Sequence, residues 1–385
     1  MGQLVLSLTT ALGLLAGVTG ELGLRAEGRG AALVPAGQEL HGRAGATATP
    51  TATATADALQ LRLTTTYAPR IATSDVAVAP VPFVDHLLSL GLETHHARPW
   101  HVTAGASAFR GQTDPLADPL RATATSPEQY GALRPIDYEW LQSRAGAELS
   151  LDARSTLSGG ASWFVTRASA PTDRALYPTR RDGGVDGAWS RAMTPRDTVR
   201  VGGRLGLAWV LGPEGEEATT LLGATVSWRR RLTPAVEGWG GLGATLVGEG
   251  RLFDGAGGTG VIPTAEAGFS RDAAGYAVGL QGSVRLAPAL DAFTGEVRAV
   301  CDTAWQLTWR TAPRLSVRAG ATAGAWLDGD VWVAGLDARA IWSLRERLSL
   351  EAGVVGRAQH DRRPAVPSFA ESALVVAASW RTGPL

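Results

Sequence analysis

The stretch RLSVRAGATAGAWLDG, residues 314–329, alternates between two kinds of side chain. Leu315, Val317 and the alanines at every second position after them are apolar, whereas the residues between them are arginine, serine, threonine and glycine. In an extended strand, successive side chains point to opposite faces. The pattern therefore predicts a strand with one apolar face and one polar face.

The same alternation recurs along most of the chain. Further clear examples are 59–67, 141–151, 198–209 and 348–359. Short connections alternate with connections that are often longer and richer in glycine, proline and aspartate. The longer ones are 111–137, 169–184, 251–260 and 361–370, whereas 212–216 and 327–330 occupy equivalent positions and are short. The repeating unit is a hairpin of about thirty to forty residues. Counting the runs predicts about 18 strands if a weak first pair lies at 20–33 and 40–56, and about 16 without it.

Composition excludes several classes of protein. The 385 residues contain no lysine or asparagine, and the 36 arginines are balanced by 36 acidic residues, so the basic excess of a nucleic-acid-binding protein is absent. The single Cys301 excludes an internal disulfide framework and a CxxC metal site. No cofactor and no nucleic-acid partner are expected.

Tryptophan is unusually frequent, with 13 residues against 7 phenylalanines. Indole rings favour the membrane–water interface, because the ring is apolar while its N–H remains hydrated. Eight tryptophans lie toward the ends of the alternating runs and are predicted to form an aromatic girdle. They are Trp100, Trp163, Trp209, Trp228, Trp305, Trp309, Trp342 and Trp380.

A soluble sandwich or propeller also uses alternating strands. Sandwich cores favour Ile, Phe and Leu at high density, whereas the apolar faces here are rich in Ala, Val and Leu, and no blade repeat of a propeller is visible. Alternating short turns and longer loops are typical of outer-membrane barrels. We therefore predict an all-β fold, a closed antiparallel transmembrane β-barrel with short periplasmic turns and longer extracellular loops. Residues 21–385 form this single domain, and residues 1–20 are predicted to be a signal peptide, although no arginine precedes Arg25.

The final run SALVVAASWR, residues 372–381, alternates Leu374, Val376, Ala378 and Trp380. It resembles the closing strand of porin-like bacterial outer-membrane β-barrels, except that five residues follow Trp380. Size, strand number and arginine usage are also similar to barrels that help export exopolysaccharide in GC-rich delta-type proteobacteria. The resemblance implies a location in the outer membrane of a Gram-negative cell, with outer-membrane lipid as one partner.

A barrel of this size encloses an aqueous lumen unless it is plugged. The charged residues of the polar register are predicted to line that lumen. They are Arg62, Arg144, Arg200, Arg204, Arg285, Arg298, Arg310, Arg318, Arg339, Arg357, Glu93, Glu148, Glu266, Asp302, Asp337 and Glu351. Rings of mixed charge sort solutes in wide pores, but the same charges can also pair across neighbouring strands and stiffen the wall.

These features favour an outer-membrane pore for polar solutes. Two alternatives stay open. One is an export conduit for polysaccharide that works with periplasmic export proteins, and the other is a structural or adhesive barrel that displays loops such as 111–137 and 169–184. Neither an enzyme nor a metal site is expected, since no convergent Ser–His set is visible and His95 and His96 point to opposite faces. Whether loop 111–137 folds into the lumen is left open.

Overall fold

A computed structural model describes residues 17–383 except for 38–40, 59–60, 75–80, 95–98, 113–135, 213–214, 250–258, 272–277, 292–295 and 364–365. Eighteen strands occupy most of this part of the chain. The first nine are β1 (Gly17–Pro35), β2 (His41–Ala58), β3 (Leu61–Ser74), β4 (Val81–Thr94), β5 (Trp100–Gln112), β6 (Asp137–Ser150), β7 (Ser155–Ala168), β8 (Thr179–Ala192) and β9 (Asp197–Gly212).

The second nine follow the same order along the chain. They are β10 (Gly215–Thr233), β11 (Val236–Glu249), β12 (Thr259–Arg271), β13 (Val278–Leu290), β14 (Val297–Ala312), β15 (Leu315–Trp326), β16 (Val331–Arg345), β17 (Leu348–Asp361) and β18 (Phe369–Arg381). One 3₁₀ turn, Pro171–Asp173, lies between β7 and β8. The described residues contain no helix that is both long and apolar enough to cross a membrane.

Each strand pairs antiparallel with the strands before and after it, and β1 pairs with β18 from Gly23 opposite Arg381 to Pro35 opposite Phe369. The sheet is therefore closed. Closure is the physical requirement for strands in a bilayer, because an open edge would leave backbone groups unpaired in hydrocarbon. The prediction of an 18-stranded closed barrel is confirmed. The 16-strand alternative is wrong, because the weak first pair forms β1 and β2.

The two ends of the barrel differ in their connections. One end, called here the tight-turn end, holds the start of β1 and the ends of all even-numbered strands, and the connections 151–154, 193–196, 234–235, 313–314 and 346–347 are described there. The opposite end, called the long-loop end, holds the ends of all odd-numbered strands, and the connections 169–178 and 327–330 are described there. This division matches the predicted alternation. The predicted bounds of the longer loops include strand residues at their ends, and the largest difference is at 169–184, because residues 179–184 belong to β8.

Three ladders shift register beside two-residue turns at the tight-turn end. The irregularities fall between Arg231 and Thr233, between Arg310 and Ala312, and between Ser343 and Arg345. Extra residues of this kind bend a strand and increase its local twist. They occur where β10, β14 and β16 turn back toward the next strand.

The closed sheet has an inner and an outer face, and long side chains show which is which. Arg25 on β1 donates to Glu351 on β17, passing over β18, where it also donates to Ser379. Side chains converge across an intervening strand on the concave side of a curved sheet. The face that carries Arg25 is therefore the inner face.

Large aliphatic side chains stand exposed on the outer face. Leu242 is 73% exposed, and Val261 and Leu374 are each 67% exposed. Soluble proteins rarely leave such an apolar surface in water, and a continuous band of it marks contact with a membrane or a partner. The six apolar residues of β15 that opened the sequence analysis lie on this outer face, whereas Arg318 lies on the inner one.

Candidate functional site

The strand register places all sixteen charged residues of the predicted set on the inner face. Arg144 illustrates the relation, since it stands opposite Gly105 on one side and Ser162 on the other, and the same face continues strand by strand to Glu351. The strands that carry them are β3, β4, β6, β9, β12, β13, β14, β15, β16 and β17. Period-two alternation therefore brings residues from distant parts of the sequence to one surface.

Several of these residues form ion pairs. Arg62 donates to Asp57 at 2.8 Å, and Arg285 donates to Asp302 at 2.7 Å. Glu93 lies 3.2 Å from the Nε2 atom of His101. These pairs join neighbouring strands, so they stiffen the wall in the way that cross-strand pairs do.

A larger network spans the junction where the sheet closes. Arg25 makes two bonds to Glu351, of 2.7 and 2.9 Å, and one to Glu27 at 3.1 Å. Arg339 lies 3.6 Å from the same Glu351 and 2.8 Å from Asp337. Charges from β1, β16 and β17 thus meet above β18. Arg25 and Glu27 were absent from the predicted set, although the alternation Arg25-Ala-Glu27-Gly-Arg29 carries the same signal.

Other members of the predicted set carry no such partner. Arg144, Arg200, Arg204, Arg310 and Arg318 make no hydrogen bond or ion pair with any described residue. Among the acids of the set, the same holds for Glu148 and Glu266 within the described part of the chain. The inner face also carries Glu21, Asp186 and Glu217, which lay outside the predicted set and make no such pair with described residues either. Unpaired guanidinium groups and unpaired carboxylates are therefore both present on the inner surface.

The inner face is not polar throughout. Val300, Trp326 and Val331 lie on the polar register yet are at most 4% exposed, and they pack together near the long-loop end. Along β18, Val375 and its inward-facing neighbours are also buried. Sequence alternation does not predict these buried apolar clusters. It indicates the face on which a side chain lies, but not which residues from other strands pack against it.

Aromatic rings form a row across the inner face of β5, β6 and β7. The ring of Phe109 lies 5.9 Å from that of Trp140, which in turn lies 6.5 Å from Phe164. Tyr138 packs against Phe109 at 5.1 Å, and Tyr177, from the connection before β8, packs on Tyr138 at 5.2 Å. The connection 169–178 therefore folds inward over the wall. Loop 111–137 lies largely outside the described residues.

The eight tryptophans of the predicted girdle all lie on the outer face. Trp100, Trp228, Trp309, Trp342 and Trp380 stand near the tight-turn end, Trp209 stands toward the long-loop end, and Trp163 and Trp305 stand nearer the middle. The indole N–H of Trp228 donates to Asp197 at 3.1 Å, and Arg230 lies over the same ring. An exposed apolar ring whose N–H is satisfied suits a membrane interface.

The described residues contain no group of three or more His, Cys, Asp or Glu side chains arranged to hold a metal ion. His101 pairs with Glu93, whereas His95 and His96 lie outside the described residues.

Solved structures with a similar fold are outer-membrane proteins and transporters. The FrpB iron transporter from Neisseria meningitidis aligns with a TM-score of 0.51 and 10% identity over 97% of this chain and 84% of that chain. The outer membrane protein OpdK from Pseudomonas aeruginosa aligns with a TM-score of 0.49 and 11% identity over 96% of this chain and 100% of that chain. The chain has the fold of a porin-like outer-membrane β-barrel. No protein-family model and no curated protein matches the sequence.

Proposed function

We propose that this barrel lies in the outer membrane and passes polar solutes through a lumen lined by the sixteen charged residues of the inner face. The observation that carries the proposal is the separation of the two faces: a single closed register sends those charges inward and Leu242, Val261 and Leu374 outward. A barrel of eighteen strands is too wide for side chains to fill completely. In this orientation the tight-turn end is periplasmic and the long-loop end is extracellular.

The balance of unpaired charge indicates how strongly the lumen selects by charge. Paired residues present little net field, because each guanidinium is offset by its carboxylate. Charged side chains lining a pore set its preference for ions of opposite sign. Unpaired groups of both signs line the described inner face in similar number: Arg144, Arg200, Arg204, Arg310 and Arg318 on one side, and Glu21, Glu148, Asp186, Glu217 and Glu266 on the other. The lumen therefore has little preference for the sign of a solute's charge.

Planar-bilayer recording of the purified protein tests the pore. We expect stable conductance steps and a reversal potential close to zero in a potassium chloride gradient. Replacing Arg144, Arg200, Arg310 and Arg318 with glutamine should shift the reversal potential toward a preference for cations. Arg181→Gln is the matched control, because Arg181 is exposed on the outer face. Absence of conductance in every condition removes the proposal.

A second candidate, an export conduit for polysaccharide, rests on the inner row of Phe109, Trp140 and Phe164. Flat apolar ring faces beside polar groups offer a surface for the apolar faces of sugar rings. If the barrel serves export, deletion of its gene abolishes a surface polymer and leaves uptake of small solutes unchanged. The converse result favours the diffusion pore.

A further inference from the structure

The ladder between β12 and β13 stops before the strands do. Pairing runs from Arg271 opposite Leu280 to Ala265 opposite Leu286 and goes no further. Both strands nevertheless continue toward the long-loop end, because β12 stays paired with β11 as far as Thr259 and β13 stays paired with β14 as far as Leu290. Residues 261–264 and 287–290 therefore face each other unpaired. These two segments are called the seam.

Two prolines stand opposite each other just beyond the point where the ladder stops. Continuing the register by two positions beyond Ala265 and Leu286 brings Pro263 opposite Pro288. Proline has no backbone N–H to donate to a ladder, so it is normally confined to edges and bulges. Two prolines at the same level cannot hydrogen-bond to each other through N–H groups on either side. The sequence itself therefore prevents backbone hydrogen bonds between β12 and β13 at the level of these two prolines.

A second opposed pair of prolines behaves differently. The ladder between β2 and β3 is interrupted where Pro50 and Pro69 face each other, but it resumes on both sides, at Ala48 opposite Ile71 and at Ala52 opposite Tyr67. That gap is bounded by paired residues at both of its ends. The seam, in contrast, is bounded by paired residues only on its tight-turn side. On the other side it continues to the long-loop ends of both strands.

Apolar side chains line the seam. On the outer face stand Val261, Pro263 and, from β13, Pro288 and Leu290; on the inner face stand Ile262, Ala287 and Ala289. Along β13 the outer register from Leu280 to Leu290 carries no charge, and its length is about the nine to eleven residues that a membrane strand needs. The seam therefore lies in the part of the wall nearer the long-loop end, with apolar side chains on both of its faces.

Polar groups at the base of the seam lack partners. The Thr264 hydroxyl is buried and has no hydrogen-bond partner among the described residues. Glu266, the next inward-facing residue on β12, is exposed and likewise unpaired there, because Arg285 opposite it is held by Asp302. A carboxylate without an ion-pair partner, on the inner face next to an apolar slot, attracts a cation that carries an apolar chain.

We propose that the seam is a lateral portal that admits the acyl chain of a single-chain amphiphile with an ammonium head group, the head group resting on Glu266 in the lumen. The proposal builds on the pore function and extends it from water-soluble solutes to an amphiphile that moves between lumen and bilayer. An unpaired backbone group is strongly unfavourable in hydrocarbon. Contact with lumenal water on the inner side relieves that cost while the slot stays open.

Hydrogen–deuterium exchange in lipid nanodiscs tests whether the seam is open. We expect fast exchange of amides on the facing edges of residues 261–264 and 287–290, and slow exchange over 265–271. The variant Pro263→Val with Pro288→Val should allow backbone hydrogen bonds to form between the two segments and should therefore slow amide exchange in both. The variant Pro50→Val with Pro69→Val is the matched control and should leave the seam fast. Slow exchange at the seam of the unaltered protein overturns the portal.

Photolabelling tests the occupant. The probe is an alkyl chain that carries a diazirine and ends in trimethylammonium, added to nanodiscs that contain the protein. We expect labels on the inward-facing residues Thr264 and Ala287. A disulfide between Ile262→Cys and Ala289→Cys, in a Cys301→Ser background, should abolish those labels, because a disulfide holds the two Cα atoms within about 7 Å. A disulfide between Ser270→Cys and Gln281→Cys, in the paired part of the same strands, should not.

The head group is tested by changing either partner. Labelling of Thr264 and Ala287 should fall when the probe carries a carboxylate, and Glu266→Gln should reduce labelling by the ammonium probe to the level of an uncharged hydroxyl probe. Labels that persist after the seam is locked, or that ignore both the head group and Glu266, overturn the portal. Conductance is measured on the same preparations. Conductance without labelling at the seam overturns the portal but not the pore function. Absence of conductance contradicts the pore function itself.

Discussion

Arg363 joins Asp361, the last residue of β17, to Asp291, which directly follows β13, and these two strands are not neighbours in the sheet. Its Nη1 atom lies 2.9 Å from Asp291 and its Nη2 atom 2.6 Å from Asp361, while β14, β15 and β16 separate β13 from β17. Both carboxylates are almost wholly buried. The Arg363 side chain therefore points inward and links two parts of the barrel wall near the long-loop end.

Removing the guanidinium should break this link. Arg363→Ala leaves two buried carboxylates without their shared partner, a change that costs about 3 kcal/mol in comparable buried pairs. We expect lower stability in urea unfolding from lipid vesicles and larger or noisier conductance steps. Arg362→Ala is the control, because Arg362 is 67% exposed and its single pair with Asp330 contributes at most about 1 kcal/mol. Equal effects of the two variants would contradict this role of Arg363.

Alkaline solution should not open the same tie. Hydrogen bonds to Asp361, followed by those to Asp291, raise the pKa of Arg363 above its ordinary value. A group with a raised folded-state pKa contributes its full stabilisation below the unfolded pKa and loses it only when the pH passes the folded value. Conductance and unfolding midpoint should therefore stay constant between about pH 7 and pH 10. A drop in either that depends on Arg363 would show that the tie is not the ion pair described.

Glycine beside tryptophan offers a test of the outer face. A Cβ atom at Gly282 would lie 2.5 Å from ring atoms of Trp305, which stands directly opposite on β14. Gly282→Ala should displace the ring at a cost of about 1–3 kcal/mol, seen as a lower unfolding midpoint and a changed indole emission. Gly28→Ala is the control, because nothing lies within 4 Å of a Cβ there and the change should stabilise by up to about 1 kcal/mol. A neutral Gly282→Ala would mean that Trp305 has room to move.

The sequence predicted the strands and their faces well, because alternation with a period of two is a local property. Leu315 and Arg318 reach opposite faces whatever strand lies beside them. Contacts between side chains of different strands are not a local property of the sequence. Trp326 sits on the polar register, yet it is buried because Val300 and Val331 from two other strands pack against it.

Pairing register explains the other omissions. Pro263 and Pro288 are visible in the sequence, but only the ladder shows that they stand at one level. The tie through Arg363 depends on the inward direction of a side chain in a connection whose sequence, rich in arginine and proline, does not indicate that direction. Arg25 and Glu27 were missed for a different reason: β1 has few large apolar residues, so its alternation was weak although its charges were regularly spaced.

Closure of the barrel should depend measurably on Arg25 and Glu351, which bond at 2.7 and 2.9 Å across β18. Since both are partly buried, a double-mutant cycle with Arg25→Gln and Glu351→Gln should give a coupling energy of about 1 kcal/mol in vesicle unfolding. The pair Arg229–Glu237 is the control, because it lies at 3.1 Å on adjacent strands with Arg229 64% exposed, and its coupling should be below about 0.5 kcal/mol. Loss of the Arg25–Glu351 bond should also speed amide exchange along β1 and β18 while leaving β10 and β11 protected. Equal coupling in the two cycles would mean that the charges over β18 do not hold the closing strands together.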